Sequence, residues 1–335
     1  MSGAFAQNVI AVEHSGVSSF YQNLDTAMAH AVSGDMVYLP ATSYNFTNFI
    51  INKGVHFVGA GSNLDSSSAT GITVFNGTVF ITSGADNGSI EGIYFNGNIH
   101  FGMSSSDQTI NMYSINRCVM NALHLSYNGS TGTASTNINI IENIIKGYIL
   151  CGYAQNIVIS KNIVESYVGY ISGSALIENN VFLYPACPAY MFTTVSAATI
   201  RNNIFFASPC TNYETYQFFG GGTSGNMLSH NMFTKPFTIQ AGNPLDDNIF
   251  NVGDTLFINQ SGNIYDIHHN YHLRSTCLGK NAGTDGTDIG LYGTASPKKD
   301  GEIPYNPHIQ AKAIPSSTNA QGNLNINIKV KAQDN

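Results

Sequence analysis

Short runs of aliphatic and β-branched residues, separated by polar turns, recur along most of the chain. In six of them, Ile or Leu stands three positions before an asparagine, and an apolar residue follows that asparagine. The six asparagines are Asn143, Asn162, Asn180, Asn203, Asn231 and Asn270. Cys118 takes the same place in an earlier copy, and successive copies are 25, 19, 18, 23, 28 and 39 residues apart.

A fixed core motif with a variable period predicts a solenoid of short parallel strands whose loops differ in length. Each coil buries its apolar side only by stacking on its neighbours. Equivalent residues then lie about 4.8 Å apart, and a side-chain amide can donate to one coil and accept from the next. Helical repeats would need longer stripes with a 3.6-residue period, which these segments lack. The sequence therefore predicts an all-β fold with an asparagine ladder.

The two ends of the solenoid have different patterns. Residues 19–32 predict an amphipathic helix, because Leu24, Ala27, Met28 and Ala31 fall on one helical face. An open solenoid end exposes strand edges and core, so we expect this helix to cap it. From residue 296 prolines recur, and residues 324–330 alternate between apolar and polar. This pattern predicts a C-terminal linker over 296–335 that carries one strand.

The order of these features resembles the right-handed parallel β-helix proteins of the pectin-lyase-like superfamily. The resemblance is carried by the helix, by Ser33-Gly34-Asp35 before a strand, by residues 59–61 (Gly-Ala-Gly) and by the asparagine repeats. Residues 281–293 are similar to the closing coil of secreted members from Bacteroidota-type bacteria. The resemblance implies a right-handed β-helix over 17–295 and an exported protein. It leaves the activity open, because the superfamily includes lyases, hydrolases, epimerases and non-catalytic adhesins.

Composition and the N-terminus narrow the classes of function. Residues 4–6 (Ala-Phe-Ala) fit the end of a secretory signal peptide, so residues 1–16 are interpreted as a signal remnant and an N-terminal segment. We expect a secreted or cell-surface protein, and in resembling proteins such a tail often leads to a sorting domain of type IX secretion. Charged residues make up 10% and the net charge is −7, which argues against nucleic acid and against a site for a polyanion. No apolar run approaches the ~20 residues of a membrane span.

The five cysteines include no C-x-x-C pair, so we expect no structural zinc site and no metal cofactor. Cys187 and Cys210 each lie seven residues after a ladder asparagine, so coils in register would stack them. Their Cα atoms would then lie within the roughly 4.4–6.8 Å of a disulfide. The interpretation is a disulfide, with two adjacent free thiols as the alternative. Asp285 and Asp288 lie in a Gly-rich turn and are interpreted as turn formers, with calcium ligands as the alternative.

Catalytic machinery is not evident in the sequence. Glycoside hydrolysis needs two carboxylates across one cleft, and no such pair stands out. The catalytic candidates are His230 and His269, which each stand one position before a repeat asparagine, together with Lys161 and Glu214. For carbohydrate binding, Tyr148 and Tyr167 lie five residues after consecutive ladder positions and could form a stacked platform, although the pattern favours packing in the core or a loop. Tyr213 and Tyr216 flank Glu214 in a long loop.

Two hypotheses from different classes follow. The first is a secreted or cell-surface β-helix module, adhesin-like or structural and monomeric. It engages extracellular polysaccharide or a cell-envelope component and has no clear catalytic machinery. The alternative is a polysaccharide-active enzyme, a lyase or a glycoside hydrolase, with its groove along the solenoid. A cleft with convergent acid and base groups would favour the enzyme. A smooth polar flank would favour the binding module.

Overall fold

The chain folds into a parallel β-helix, which confirms the predicted all-β solenoid. The computed structural model describes residues 8–107, 109–133, 135–184, 190–207, 217–221 and 223–332. In these ranges 25 strands form one continuous sheet, and apart from the N-terminal strand pairs its strands run parallel from coil to coil. Within the same ranges no helix is long and apolar enough to span a membrane.

The N-terminal region differs from the expectation for residues 1–32. Strands β1 (Ile10–His14) and β2 (Val17–Tyr21) form an antiparallel pair, and β1 joins the large sheet. Helix α1 therefore covers only Leu24–His30 rather than 19–32. Asn23 begins it, because its side-chain oxygen accepts a hydrogen bond from the backbone of Thr26 at 2.8 Å. Residues 17–21 hydrogen-bond to β1 as a strand. The helix therefore does not begin at residue 19 as predicted.

Three stacked faces make up the solenoid, and most coils contribute to each. The first face contains β3 (Met36–Tyr38), β5 (His56–Val58), β7 (Ser89–Glu91), β10 (Ser114–Asn116), β13 (Thr136–Ile141), β16 (Gln155–Ser160), β23 (Met227–Ser229) and β25 (Leu245–Asp246). The second contains β8 (Ile93–Phe95), β11 (Val119–Met120), β14 (Ile144–Ile145), β17 (Ile163–Val164), β19 (Val181–Tyr184), β21 (Ile204–Ala207) and β24 (Met232–Phe233). The third contains β9 (Ile99–Phe101), β12 (Leu123–His124), β15 (Ile149–Leu150) and β22 (Phe219–Gly220).

Four longer strands connect these faces. Strands β4 (Ser43–Ile51) and β6 (Thr73–Ile81) run through the second and third faces, since β6 pairs with both β8 and β9. Strands β18 (Val168–Glu178) and β20 (Phe192–Arg201) run through the third and first faces. Alternate residues of each strand point inward, and stacked inward residues such as Ile140 and Ile159 are fully buried.

The corner between the first and second faces holds a buried asparagine ladder. From Asn143 onward, each ladder amide donates to the side-chain oxygen of its counterpart in the next coil, at 2.9–3.0 Å. The chain of bonds runs through Asn143, Asn162, Asn180, Asn203, Asn231 and Asn248. The sixth position thus belongs to Asn248, and the assignment of Asn270 is wrong. Asn270 instead begins β27 (Asn270–Leu273), which pairs antiparallel with β26 (Phe257–Asn259).

The residue before each ladder position lies in the left-handed backbone region. Their φ angles fall between 47° and 59°, at Arg117, Glu142, Lys161, Asn179, Asn202, His230 and Asp247. The left-handed region is energetically unfavourable for residues with a Cβ. Because the coils repeat the same turn, each of these residues adds a similar unfavourable conformational energy. The turn aligns these side chains in one column along the outside of the corner.

The second face is covered by residues 256–305, here named the C-terminal segment. Outward residues of the second face, such as Ile144 and Ile204, cluster with Leu273, Ile289 and Leu291 of that segment. The close approach requires Gly290 (φ 98°), because a Cβ there would lie 2.6 Å from the side chain of Ile204. Residues 281–293, expected to form a closing coil, therefore run back along the solenoid instead.

The far end of the C-terminal segment is held by buried charged groups. Arg117 and Glu142 form an ion pair at 2.9 Å, and each side chain is no more than 2% exposed. The Arg117 guanidinium also donates to the carbonyl oxygen of Ile303 and lies 3.5 Å from the centre of the Tyr305 ring. These contacts join the middle of the solenoid to the end of the chain.

Beyond the C-terminal segment the chain forms a separate antiparallel hairpin. It consists of β28 (His308–Ala313) and β29 (Asn327–Lys331). The single strand expected within residues 324–330 thus has a partner. Most of the hairpin is exposed to solvent, including Ile328 and Val330.

Candidate functional site

A shallow groove of about 460 Å³ crosses the first face on four consecutive strands, β13, β16, β18 and β20. Because these strands pair in parallel, the groove runs across them, along the axis of the solenoid. The described residues that line it are Asn137, Asn139, Asn156, Ile157, Val158, Ser174, Ala175, Leu176, Ala197 and Thr199.

Strand register places two rows of side chains in this groove. One row contains Asn139, Val158, Leu176 and Thr199, which are directly paired neighbours in successive strands. The other row begins with Asn137 and Asn156, whose left-handed φ values of 59° and 53° mark a corner of the coil. Asparagine tolerates this conformation better than most residues. Its amide can both donate and accept, and so can the hydroxyls of Ser174 and Thr199.

The groove has an apolar floor and polar margins. Val158 and Leu176 are partly exposed, so a ligand can cover aliphatic surface there. Asn156 donates to the side-chain oxygen of Asn137 at 3.4 Å, and Asn139 donates to Ser114 at 3.3 Å. These bonds use only part of the hydrogen-bonding capacity of three amides. Aliphatic surface beside amides and hydroxyls with spare hydrogen-bonding capacity suits a ligand with alternating CH and OH groups.

The third face carries a column of five rings, named here the ring column. Neighbouring rings lie 4.2–5.4 Å apart between centroids, in the order Phe80, His100, His124, Tyr148 and Tyr167. Tyr148 and Tyr167, predicted as a sugar platform, are half-buried and stack on each other with an interplanar angle of 27°. Each therefore covers one face of the other, and less ring surface remains for a sugar.

The two imidazoles of the ring column are held neutral. Burial lowers the pKa of His124 to about 4, and the neighbouring His100 adds to this effect. Burial also lowers the pKa of His100, although its Nδ1 lies 3.2 Å from the carbonyl oxygen of Tyr127. Neither imidazole carries a charge at neutral pH, so the column offers an anion no positive charge.

His269 lies at a different place, in a pocket of about 250 Å³ between the C-terminal segment and residues 63–66. Its Nδ1 is 3.2 Å from the Tyr271 hydroxyl, and burial raises the pKa of that hydroxyl. Lys298 and Glu302 in the same pocket are paired at 2.6 Å, and Asn63 donates to Glu302 at 2.9 Å. The charged groups there satisfy one another and fasten the C-terminal segment.

The remaining catalytic candidates do not converge. Lys161 and His230 belong to the same corner column but are three coils apart, about 14 Å at the usual strand spacing. The His230 Nε2 is 3.9 Å from the exposed Asp247 carboxylate. Glu214, Tyr213 and Tyr216 lie outside the described residues, as do Cys187 and Cys210 of the predicted disulfide. The arrangement of Lys161, His230 and His269 forms no shared acid–base site.

The side chains proposed for calcium have partners within their own turn. The Asp288 carboxylate pairs with Lys280 at 2.5 Å, and the Asp285 carboxylate accepts from the Thr287 hydroxyl at 2.6 Å. This hydrogen bond lowers the pKa of Asp285. Among the described residues, no group of three or more His, Cys, Asp and Glu side chains is arranged to hold a metal ion. Cys118, Cys151 and Cys277 are free thiols, and burial raises the pKa of Cys118 to about 12.

Sequence reasoning missed the groove residues altogether. A signal was present, since strand β13 reads Asn137-Ile-Asn139 and β16 reads Asn156-Ile-Val158, with uncharged outward positions on both sides of a buried isoleucine. The repeat motif is defined by inward positions, and it does not fix which outward residues of the first face lie side by side. Only the pairing of the strands brings them together.

Comparison with known proteins finds likeness among solved structures. No protein-family model matches the chain, and no curated protein matches it. Among solved structures, the chain is similar to a PL6 family alginate lyase, AlyGC, with 12% sequence identity and a TM-score of 0.36. The match covers 90% of this chain and 54% of that protein, so the chain spans about half the length of the lyase.

Proposed function

We propose that the protein is a secreted or cell-surface β-helix that binds extracellular polysaccharide in the groove of the first face. In this proposal the solenoid is right-handed, and α1 caps its N-terminal end. The observation that carries the proposal is the groove itself, in which amide and hydroxyl side chains flank an aliphatic floor across four coils. Its partner is a glycan chain, free or in the cell envelope.

The chemistry of a polysaccharide matches this lining. Each sugar unit presents hydroxyl groups that donate and accept, next to CH surfaces that are weakly apolar. Asn139 and Thr199 supply the polar contacts, and Val158 and Leu176 supply the aliphatic surface. A polymer lying along the solenoid axis contacts one coil after another, because neighbouring strands are spaced about 4.8 Å apart. A long, shallow groove therefore favours a chain over a compact small molecule.

Affinity electrophoresis against a panel of polysaccharides tests the proposal. We expect migration to be retarded by at least one polymer. The variants Asn139→Ala and Leu176→Ala should each weaken binding roughly fivefold or more, because about 1 kcal/mol is lost with each contact. Tyr148→Ala serves as the matched control, since it removes a half-exposed side chain from the ring column instead.

The outcome of this control separates the two surfaces. If Tyr148→Ala abolishes binding and the groove variants bind like the parent protein, the ring column is the site and the groove proposal is wrong. If no polymer retards the protein, the binding function itself is wrong.

The enzyme alternative has one supporting observation. His269 and Tyr271 form the 3.2 Å contact of an acid–base pair beside a pocket. Incubation with neutral and uronic polysaccharides, followed by a search for new reducing ends or unsaturated products, tests it. Product that disappears in His269→Ala and persists in His272→Ala would establish an enzyme. His272 is the matched control because it lies three residues away and is exposed.

A further inference from the structure

We propose that the groove selects uncharged polysaccharides and excludes uronic and sulfated chains. This inference rests on the proposed binding function and adds the class of ligand to it. Among the residues that the structure describes, every side chain that lines the groove is uncharged. A ligand with one negative charge per sugar unit would therefore meet no compensating cation within the groove.

The charged residues nearest in sequence neutralise each other. On the four strands that form the groove, the charged side chains are Glu178 at the end of β18 and Arg201 at the end of β20. These residues are direct partners in the parallel register. The Arg201 guanidinium contacts the Glu178 carboxylate through both Nε and Nη2, each at 2.8 Å. Both contacts go to the same oxygen of Glu178. They engage the positive charge of Arg201, which would otherwise be available to a polyanion.

The rest of the molecule reinforces this selection. The net charge is −7, so an approaching polyanion is repelled before it reaches the surface. An uncharged polymer experiences no such repulsion. Its affinity should also be nearly independent of ionic strength, because salt screens interactions between charges and leaves hydrogen bonds to amides largely unchanged.

The direct experiment compares neutral polymers (a β-glucan, a xylan and a galactomannan) with polygalacturonate and alginate, using the full chain at low and high salt. We expect neutral polymers alone to retard the protein, with a Kd that changes by less than about twofold between the two salt concentrations. Binding of polygalacturonate or alginate that Leu176→Ala weakens would overturn the inference and leave the proposed function intact. Failure of all polymers to bind would overturn both.

A second experiment changes the charges of the Glu178–Arg201 ion pair beside the groove. Glu178→Gln releases the Arg201 guanidinium beside the groove, and we expect this variant to acquire salt-sensitive binding of polygalacturonate. The double variant Glu178→Gln/Arg201→Gln removes both charges and should lose that acquired binding. Thermal unfolding checks that each variant is folded. If folded Glu178→Gln binds polygalacturonate no better than the parent, the ion pair does not set the selection and the inference is overturned.

Discussion

The buried asparagines between the first and second faces act through both ends of their side-chain amides. Asn180, for example, donates to the side-chain oxygen of Asn203 at 2.9 Å and to the carbonyl oxygen of Ile159 at 2.8 Å. Its own oxygen accepts from the backbone and the side chain of Asn162. The amide offers two N–H donors and a carbonyl acceptor without a charge, whereas a hydroxyl offers a single donor. The ladder therefore satisfies the hydrogen-bonding groups of the backbone at this corner, which are buried away from water.

We expect Asn180→Ala to lower the free energy of unfolding by about 3 kcal/mol, because it leaves buried donors and acceptors unpaired. Chemical denaturation measures the change. Asn76→Ala is the matched control, since Asn76 is also one member of an amide column but lies at the surface. Its cost should stay below about 0.5 kcal/mol. Equal losses in the two variants would contradict the argument from burial.

His124 makes stability dependent on pH. Its pKa is about 4 in the folded protein, against an ordinary value of 6.5. Between these values the unfolded chain binds the proton more readily, so stability falls as the pH drops from about 6.5 to about 4. Below that range this contribution is constant.

Urea denaturation at neutral pH and near pH 5 tests this dependence. We expect His124→Phe, which keeps a ring in the column, to lose less stability over this interval than the parent protein. The comparison isolates His124 from buried carboxyls such as Glu91, whose pKa is raised by burial and whose contribution has the opposite sign. Parallel pH curves for the two proteins would show that His124 has no part in the dependence.

At the level of elements, the C-terminal segment explains why the residue after each ladder asparagine is apolar. Ile163 and Val181, for example, point outward on the second face and are no more than 2% exposed. The C-terminal segment supplies the other half of this second core. Because the second face is occupied, the first and third faces are the ones left open along the described part of the solenoid.

We expect Leu291→Ala to cost about 3 kcal/mol, since Leu291 is 1% exposed within the second core. Increased binding of a hydrophobic dye and faster proteolysis of residues 256–305 should accompany the loss. Leu278→Ala is the matched control in the same segment, because Leu278 is 67% exposed. A large effect of Leu278→Ala would mean that the segment packs differently.

For the whole molecule, contacts between distant parts of the chain join the C-terminal segment to the early coils of the solenoid. Asn63 in the early coils contacts Glu302, 239 residues away, and Arg117 contacts Tyr305. The hairpin of β28 and β29 lies beyond these contacts and is mostly exposed. The solenoid should therefore tolerate loss of the hairpin but not loss of residues 296–305.

Two truncations test this difference. A chain that ends at Ile309 should unfold within about 2 °C of the full chain, because it loses little buried surface. A chain that ends at Ala295 should lose at least about 3 kcal/mol, because it removes the groups that contact the buried Arg117. Equal thermal midpoints for the two truncations would contradict a fastening role for residues 296–305.

The amino-acid sequence by itself determined the repeated coil. Inward aliphatic residues and the ladder asparagines recur at fixed offsets, because each coil must fit the coil before it. The motif predicts the ladder positions through Asn231. The sixth position depends on which later asparagine lies next to Asn231 in the fold. Asn248 occupies it and fits the same motif as Asn270, with Leu245 three residues earlier and Ile249 directly after it.

Tertiary structure decided which surfaces remain open. The C-terminal segment covers the second face, and Tyr148 and Tyr167 stack on each other. His269 lies in the pocket near Asn63. Each of these outcomes depends on contacts between residues far apart in sequence, which no local pattern records. The groove of the first face arises in the same way, because strand pairing alone aligns the outward residues of separate coils.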